Sequence, residues 1–125
     1  MTRQEYLDFV KQESQSMLEL LEKKNSDYCG SGEDAFHNLS GCERLGVCST
    51  ETGVIIRMFD KFSRLTSFVT QGSLKVKDEA VEDTLRDVVG YSYLLLGYLK
   101  SKKDKEATQP QISYECSLLY EGSKK

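Results

Sequence analysis

Hydrophobic residues recur every three to four positions in three stretches of the chain, and this spacing predicts three helices. The first helix begins at a capping box formed by Thr2 and Glu5 and extends over about 22 residues. Its stripe consists of Tyr6, Phe9, Glu13, Met17, Leu20 and Leu21. Lys23 and Lys24 suit the C-terminal end of this helix, where cations stabilise the helix dipole.

The second predicted helix covers roughly residues 51–70, where six apolar residues share one band and Gly72 follows as a stop. The band consists of Val54, Ile55, Met58, Phe62, Leu65 and Val69. Asp78 is a candidate N-cap for a third helix that runs to about Lys100. From Val88 onward this helix is apolar nearly all round, which indicates burial in a bundle or against another subunit.

The segments outside these helices differ in composition. Residues 25–50 are rich in Gly, Ser, Asn and Asp, which is typical of a long ordered loop with a short turn of helix. Residues 101–125 begin as a polar linker and end in an apolar segment that forms either a short strand or an arm that docks on the bundle or on a neighbouring subunit. We therefore predict an all-α helical bundle with a long loop in its N-terminal half, divided into residues 1–100 and a tail, 101–125. The apolar surface of the third helix indicates that the protein forms a homo-oligomer.

The length and net charge of the chain limit the kinds of partner that the protein is expected to bind. A chain of 125 residues fits one domain, and its net charge of −3 gives no cationic field that would hold duplex nucleic acid. No apolar run approaches the ~20 residues that a membrane span needs, so we expect a cytoplasmic protein with no membrane partner. In that compartment the four cysteines are expected to be reduced thiols.

Charged residues form one stripe on the second helix and another on the third. The stripe on the second helix is cationic and consists of Arg57, Lys61 and Arg64, with Asp60 at its margin. The stripe on the third helix is acidic and consists of Glu79, Asp83 and Asp87, at positions i, i+4 and i+8. Each acidic pair at i, i+4 costs roughly 0.2–0.5 kcal/mol in an isolated helix, so a compensating metal or cation is expected.

Two interpretations of these stripes stay open. In the structural one, the cations form salt bridges with Asp83 and Asp87 across the helices, while Glu82 and Arg86 pair locally. In the functional one, the acidic stripe chelates Mg²⁺, which prefers oxygen ligands. The cationic stripe would then neutralise phosphate oxygens while a metal-bound water attacks.

Other candidate sites are weaker. The four residues Cys29, His37, Cys42 and Cys48 could hold zinc, but their spacing lacks the close Cys-x-x-Cys pair of most structural zinc sites. His37 has no serine or cysteine motif beside it, so a nucleophile–base pair is not supported. Tyr28 and Phe36 are either anchors for the loop or platforms on which a base stacks.

The stretches KKNSDYCGSGEDAFHNLSGCERLGV, GVIIRMFDKFSRLTSFV and VKDEAVEDTLRDVVGYSYLLL resemble the phage and bacterial family called nucleotide modification associated domain 1. The resemblance covers residues 23–99. Its most specific elements are Asp27-Tyr28, Phe36 with Asn38, Arg57 with Asp60-Lys61 and Arg64, and the acidic helix ending in Tyr91. It implies an all-helical phage or prophage protein in the host cytoplasm, associated with nucleotide or DNA-base metabolism.

More distantly, the two charged helices resemble MazG-like all-α nucleoside triphosphate pyrophosphohydrolases. Those enzymes hold Mg²⁺ with an E-x-x-E helix and an E-x-x-D helix, and usually assemble as dimers or tetramers. Here the second helix departs from that pattern, because Arg57, Asp60, Lys61 and Arg64 stand where those enzymes carry two glutamates.

These resemblances imply a nucleotide-binding protein with three alternative roles. The first is an Mg²⁺-dependent nucleoside triphosphate pyrophosphohydrolase. Its catalytic residues would be Asp60, Glu79, Asp83 and Asp87, of which Glu79, Asp83 and Asp87 would bind the metal. The nucleotide-binding residues would be Lys24, Asp27, Tyr28, Phe36, Asn38, Arg57, Lys61 and Arg64. The second role is a non-catalytic binder that sequesters a nucleotide or a cyclic-nucleotide-type signal, as an anti-defence sponge does. The third is a structural accessory protein.

Overall fold

The computed structural model describes residues 1–29, 32–71 and 78–108, with the backbone alone at Tyr28, Cys29 and residues 78–80. These residues form four helices, which are α1 (Arg3–Cys29), α2 (Gly41–Arg44), α3 (Thr50–Gln71) and α4 (Asp78–Thr108). No strand occurs in this part of the chain, so the all-α class is confirmed for the described residues. Within the same residues, no helix combines the length and hydrophobicity that a bilayer crossing requires.

The predicted capping box forms at the start of α1. The Thr2 backbone N–H donates to Glu5 Oε2 at 2.6 Å, and the Glu5 backbone N–H donates to Thr2 Oγ1 at 3.1 Å. Each side chain thus satisfies a backbone donor that has no carbonyl partner within the helix.

The C-terminal end of α1 lies further along the chain than predicted, at Cys29. The loop after α1 contacts this extra turn through two hydrogen bonds. Asn25 Nδ2 donates to the Ala35 carbonyl at 3.2 Å, and Asn38 Nδ2 donates to the Asp27 carbonyl at 2.7 Å. These contacts form only in the folded chain, which is why the pattern of apolar residues did not predict the final turn.

The N-terminal half of α3 packs against α2, the short helix expected within the loop. Ser49 caps α3, because the Thr52 backbone N–H donates to Ser49 Oγ at 3.1 Å. At the first residue of α3, Thr50 Oγ1 donates to Glu43 Oε2 of α2 at 3.2 Å. α3 therefore begins and ends within one residue of the predicted bounds.

The predicted third helix, now α4, begins at Asp78 and continues to Thr108 rather than ending near Lys100. The expectation of a polar linker is therefore wrong for residues 101–108. Lys100 Nζ and Asp104 Oδ2 form an i, i+4 ion pair at 3.1 Å, a contact that supports exposed helices. The Asp78 side chain and the predicted docking arm, residues 109–125, lie outside the described residues.

The chain divides into two compact units, Met1–Tyr93 and Leu94–Lys125. In the first unit, the buried apolar side chains among the described residues are Met17, Leu39 and Val54. In the second unit, the described residues are the last turns of α4. The core that positions the candidate site therefore belongs to the first unit, and it is small.

The apolar band predicted on α3 separates into a buried and an exposed part. Val54 is fully buried, and Met58 and Leu65 are half-buried. The side chains of this band that remain exposed are Ile55 (52%), Phe62 (49%) and Val69 (75%), and the neighbouring Ile56 (55%) and Phe59 (69%) are exposed as well. This single chain therefore leaves much of the apolar surface of α3 in water.

Candidate functional site

Asp87 of α4 accepts a hydrogen bond from a lysine on each of two other helices. Lys24 Nζ of α1 lies 3.0 Å from Asp87 Oδ1, and Lys61 Nζ of α3 lies 3.0 Å from Asp87 Oδ2. The side chains of Lys61 and Asp87 are only 17% and 25% exposed. One carboxylate thus connects α1, α3 and α4 and holds two ammonium groups at a fixed separation.

Burial and charge act on Asp87 in opposite directions. Partial burial tends to raise the pKa of the Asp87 carboxyl, but the hydrogen bonds and charges of Lys24 and Lys61 outweigh it and hold the pKa below its ordinary value. Asp87 is therefore ionised at neutral pH, and the two lysines need this negative charge because their ammonium groups would otherwise repel each other.

A cleft of about 350 Å³ lies between α3 and α4 beside this carboxylate. Its lining among the described residues consists of Arg64, Leu65, Val81, Asp83, Thr84 and Asp87. Arg64 of the cationic stripe and the two acids of the acidic stripe therefore share one cleft. Arg64 itself is exposed and makes no ion pair within the described part of the chain.

Other residues of the stripes lie outside the described lining of the cleft. Lys61 reaches Asp87 without lining the cleft, and so does Lys24 of α1, whereas Arg57 and Asp60 are exposed and absent from the lining. At 100° per residue, Asp60 lies about 120° around the axis of α3 from buried Val54, and Arg57 lies about 60° from it, two turns before Arg64. The Glu79 side chain lies outside the described residues, so its predicted role is not tested.

Arg86, the neighbour of Asp87, binds three carboxylates. Its guanidinium makes two hydrogen bonds to Glu13 of α1, with Nη2 to Oε1 at 3.0 Å and Nε to Oε2 at 3.2 Å. Within α4 it contacts Asp83 at 3.3 Å and Glu82 at 3.9 Å. The local Glu82–Arg86 pair matches the structural interpretation, but the two-pronged contact with Glu13 was not predicted.

The sequence contains a feature from which the Glu13 contact could have been predicted. Glu13 occupies a position in the apolar stripe of α1, between Phe9 and Met17. A carboxylate among core-facing residues needs a partner, because burial of an unpaired charge is costly. In the folded chain, hydrogen bonds from Arg86 lower the pKa of Glu13 and outweigh the opposing effect of burial.

The loop residues predicted to bind a nucleotide have structural contacts instead of a place in the cleft. Asn38 donates to the Asp27 carbonyl, as described above, and the Phe36 backbone N–H donates to Asp34 Oδ1 at 3.0 Å. None of Asp27, Phe36 and Asn38 lines the cleft among the described residues. The Tyr28 side chain lies outside them.

The described carboxylates do not form a ready site for a metal. No group of three or more His, Cys, Asp or Glu side chains within the described residues has the geometry to hold a metal ion. Both Asp87 oxygens already accept lysine hydrogen bonds, so Mg²⁺ on Asp87 would share the carboxylate with two ammonium groups that repel it. The zinc hypothesis is also untested, because the Cys29 side chain is not described.

A second depression, of about 450 Å³, lies in the other unit of the chain. It is lined among the described residues by Gly97, Lys100, Ser101, Asp104, Lys105 and Thr108. All of these belong to one face of α4, and no buried polar group converges there among the described residues. We therefore place the candidate site at the cleft beside Asp87.

Comparison of the chain with models of known protein families, with curated proteins and with solved structures found no match.

The side chains themselves indicate what the cleft can bind. Lys24, Lys61 and Arg64 bring three positive charges to the region of Asp87, and Asp83 shares its charge with Arg86. These three cations and the carboxylates of Asp83 and Asp87 together carry a net charge of +1, although the whole chain is negative. A guanidinium in the cleft and two ammonium groups on its Asp87 favour an anion with several oxygen acceptors, such as a phosphate.

Proposed function

We propose that this protein binds a nucleotide, or a small molecule with a nucleotide-like phosphate, in the cleft between α3 and α4. Support comes chiefly from Asp87, which holds Lys24 and Lys61 in place at 3.0 Å each. Because Asp87 fixes the lysines before any ligand arrives, less side-chain entropy is lost on binding. Arg64 lines the same cleft and supplies a planar donor that suits a phosphate.

We favour a non-catalytic binder that sequesters a nucleotide or a cyclic-nucleotide-type signal. A hydrolase of the MazG-like kind needs carboxylate oxygens for Mg²⁺, which keeps several waters and binds through one or two carboxylates plus the substrate phosphates. Asp87 instead neutralises two lysines. This reading agrees with the resemblance to the nucleotide modification associated domain 1 family, which itself stays a proposal.

The Mg²⁺-dependent pyrophosphohydrolase is the second candidate, and one observation favours it. Asp83 lines the cleft with a side chain that is 72% exposed, so one of its oxygens could meet a metal that a nucleotide brings with it. Glu79 comes one turn earlier on the same helix. In this case Asp87 would position the lysines on the phosphates, while Asp83 and Glu79 would hold the metal.

We also propose that the protein assembles with further copies of itself. The exposed apolar residues of α3 fall within about 140° of one another around the helix axis, at 100° per residue. This stripe adjoins the buried face of α3, so the apolar surface of the helix extends beyond the part that the chain itself covers. A second copy offers the same stripe, and a two-fold interface is self-complementary.

Calorimetric titration of the purified protein tests the site. The titrants are nucleoside triphosphates, nucleoside monophosphates and a cyclic dinucleotide, each with EDTA and again with Mg²⁺. We expect Arg64→Ala to weaken the binding of the tightest ligand by about tenfold or more, because a hydrogen bond to a charged group is lost. Arg57→Ala is the matched control, since Arg57 lies on the same helix with the same charge but outside the described lining of the cleft.

The results separate the candidates. Binding in EDTA without turnover in Mg²⁺ supports the sequestering protein. Turnover in Mg²⁺ that Asp83→Asn abolishes supports the hydrolase. If no phosphate compound binds, or if the two arginine substitutions have equal effects, the cleft is not the ligand site.

A further inference from the structure

Two cysteines face each other beside the start of α3. Cys42 and Cys48 are free thiols, and both are half-buried. Gly53 of α3 lies beneath them, because a Cβ atom placed on it would be 2.9 Å from Cys42 Sγ and 3.9 Å from Cys48 Sγ. Both sulfurs thus crowd the same point of the helix surface.

The backbone between the two cysteines forms a closed turn. The Val47 N–H donates to the Cys42 carbonyl at 2.9 Å, and the Gly46 N–H donates to the Glu43 carbonyl at 3.0 Å. Gly46 has a φ of 76°, a left-handed conformation that other residues adopt at a cost. This turn directs the chain back so that Cys48 returns to the side chain of Cys42.

The environment of the thiols favours a stable bond between them. A hydrogen bond with Cys42, together with burial and the nearby charge of Glu43, raises the pKa of the Cys48 thiol. A thiol with a raised pKa is a poor leaving group, so a disulfide that contains it resists cleavage by other thiols. Both sulfurs already lie near the same point of the α3 surface, at Gly53, which brings the two side chains together.

We propose that Cys42 and Cys48 form a modification site, a dithiol that a low-molecular-weight disulfide such as glutathione disulfide converts to an intramolecular disulfide. In the first step one cysteine thiolate attacks a sulfur of the small disulfide, which gives a mixed disulfide and releases one small thiolate. In the second step the other cysteine loses its proton and attacks the protein sulfur of the mixed disulfide. The Cys42–Cys48 bond forms and the second small thiol leaves, so two electrons pass from the dithiol to the oxidant.

The disulfide has a defined structural consequence. It cross-links α2, which contains Cys42, to the residue just before the Ser49 cap of α3. The bond therefore fixes the contact between α2 and α3 that the Glu43–Thr50 hydrogen bond holds in the reduced protein. This modification does not depend on the proposed nucleotide site, because none of these residues lines the cleft.

Redox titration of the full-length chain tests the site. The protein is equilibrated with glutathione buffers from fully reducing to fully oxidising, in the presence of a chelator, and is then treated with an alkylating reagent. We expect mass spectrometry to show a species lighter by two hydrogens, with the peptides of Cys42 and Cys48 joined. We also expect the thermal midpoint of the oxidised protein to rise by several degrees and to return when dithiothreitol is added.

Two variants make the outcome specific. Cys29→Ser with Cys116→Ser leaves Cys42 and Cys48 as the remaining thiols and should give the same product and the same thermal shift. Cys48→Ser should stop at the mixed disulfide with glutathione and show no shift. Peptide mapping of the unsubstituted chain gives the product even if a variant folds poorly. If the oxidised wild-type chain keeps glutathione on Cys42 or Cys48, or pairs either with another cysteine, the proposal is wrong.

Discussion

At the scale of single residues, the candidate site depends on Asp87. Its two carboxylate oxygens accept hydrogen bonds from two lysines on different helices. This use of a carboxylate differs from metal chelation, because the negative charge holds two lysine ammonium groups in position. The same carboxylate therefore contributes both to the stability of the fold and to the geometry that we propose for phosphate binding.

Replacement of Asp87 by Asn should lower the free energy of unfolding by roughly 1–2 kcal/mol at pH 7, since two charge-assisted hydrogen bonds are weakened and two lysines lose their counter-charge. The lowered pKa of Asp87 sets the pH dependence. Its contribution is present above the unfolded pKa of about 3.9 and is lost as the pH falls through the lower folded pKa. Urea unfolding at pH 7 and at pH 3 should therefore show a gap between wild type and variant that narrows in acid.

Asp60→Asn is the control for this experiment, because Asp60 is exposed and makes no ion pair in the described part of the chain. It should leave the unfolding free energy nearly unchanged at both pH values. A stability gap for Asp87→Asn that is as large at pH 3 as at pH 7 would contradict the assigned role of its charge.

Gly53 is a second residue whose role can be measured. Gly→Ala inside a helix normally stabilises by about 0.5–1 kcal/mol, but a Cβ at position 53 would meet Cys42 Sγ. We expect Gly53→Ala to give less than this gain in the wild-type protein and to recover it in a Cys42→Ala background, with a coupling of about 0.5–3 kcal/mol in a double-mutant cycle.

Gly90→Ala supplies the comparison for Gly53. Its added Cβ would make an ordinary contact of 3.6 Å with Leu21, so the normal gain for a helical position is expected there. Additive effects of Gly53→Ala and Cys42→Ala, measured by chemical denaturation, would show that the thiol does not crowd this helix.

At the scale of the helices, ion pairs rather than a large apolar core link α1 to α4. Arg86 makes a two-pronged contact with Glu13, and Asp87 meets Lys24 one position further along α4. Near these contacts, Leu21 of α1 lies beside Gly90, where the absence of a side chain permits a close approach. Ion pairs of Arg86 and Asp87, next to the apolar contact between Leu21 and Gly90, therefore specify how α4 packs on α1.

Glu13→Gln should lower the thermal midpoint because the neutral amide binds the Arg86 guanidinium more weakly than a carboxylate does. The lowered pKa of Glu13 means that its contribution is complete above the unfolded carboxyl pKa and disappears as the pH falls below the folded one. Differential scanning calorimetry at neutral and at acidic pH measures both effects. Glu19→Gln, an exposed change on the same helix, should shift the midpoint little, and equal shifts for the two variants would exclude a specific role for Glu13.

At the scale of the whole molecule, exposed apolar surface is the main feature that a single chain leaves unexplained. Five large apolar residues on α3 are about half exposed or more, although Arg57, Asp60 and Arg64 occupy the opposite side of that helix. Soluble monomers rarely expose large contiguous apolar patches, and such patches commonly mark protein–protein interfaces. The self-association that we propose would cover this stripe and add to the small core of the first unit.

Phe59→Glu should reduce the assembly to a smaller species, because a charge at the centre of the stripe would be buried without a partner. Size-exclusion chromatography with light scattering measures the mass of the particle directly. Gln71→Glu adds the same charge to the side of α3 that carries Asp60 and Arg64, and should leave the mass unchanged. A wild-type protein that is monomeric at high concentration would remove the basis for the proposed assembly.

The sequence by itself determined the helices, because helix formation depends on residues three and four positions apart. The Thr2–Glu5 capping box, the short helix within the loop and the bounds of α3 were all predicted from such local spacing. The C-terminal ends of α1 and α4 were not predicted correctly. The last turn of α1 is stabilised by the asparagine contacts with the loop. Residues 101–108 are rich in helix-forming residues, and the prediction that α4 ends near Lys100 did not take this into account.

The tertiary structure alone decided which charges meet. Lys24 and Asp87 are 63 positions apart, and Glu13 and Arg86 are 73 positions apart, so no local pattern connects them. Spacing placed Asp83 and Asp87 on one side of a helix but could not show whether a metal or a lysine would neutralise them. That choice depends on which side chains of α1 and α3 reach α4 after folding, because a charge interaction weakens with distance and strengthens when water is excluded.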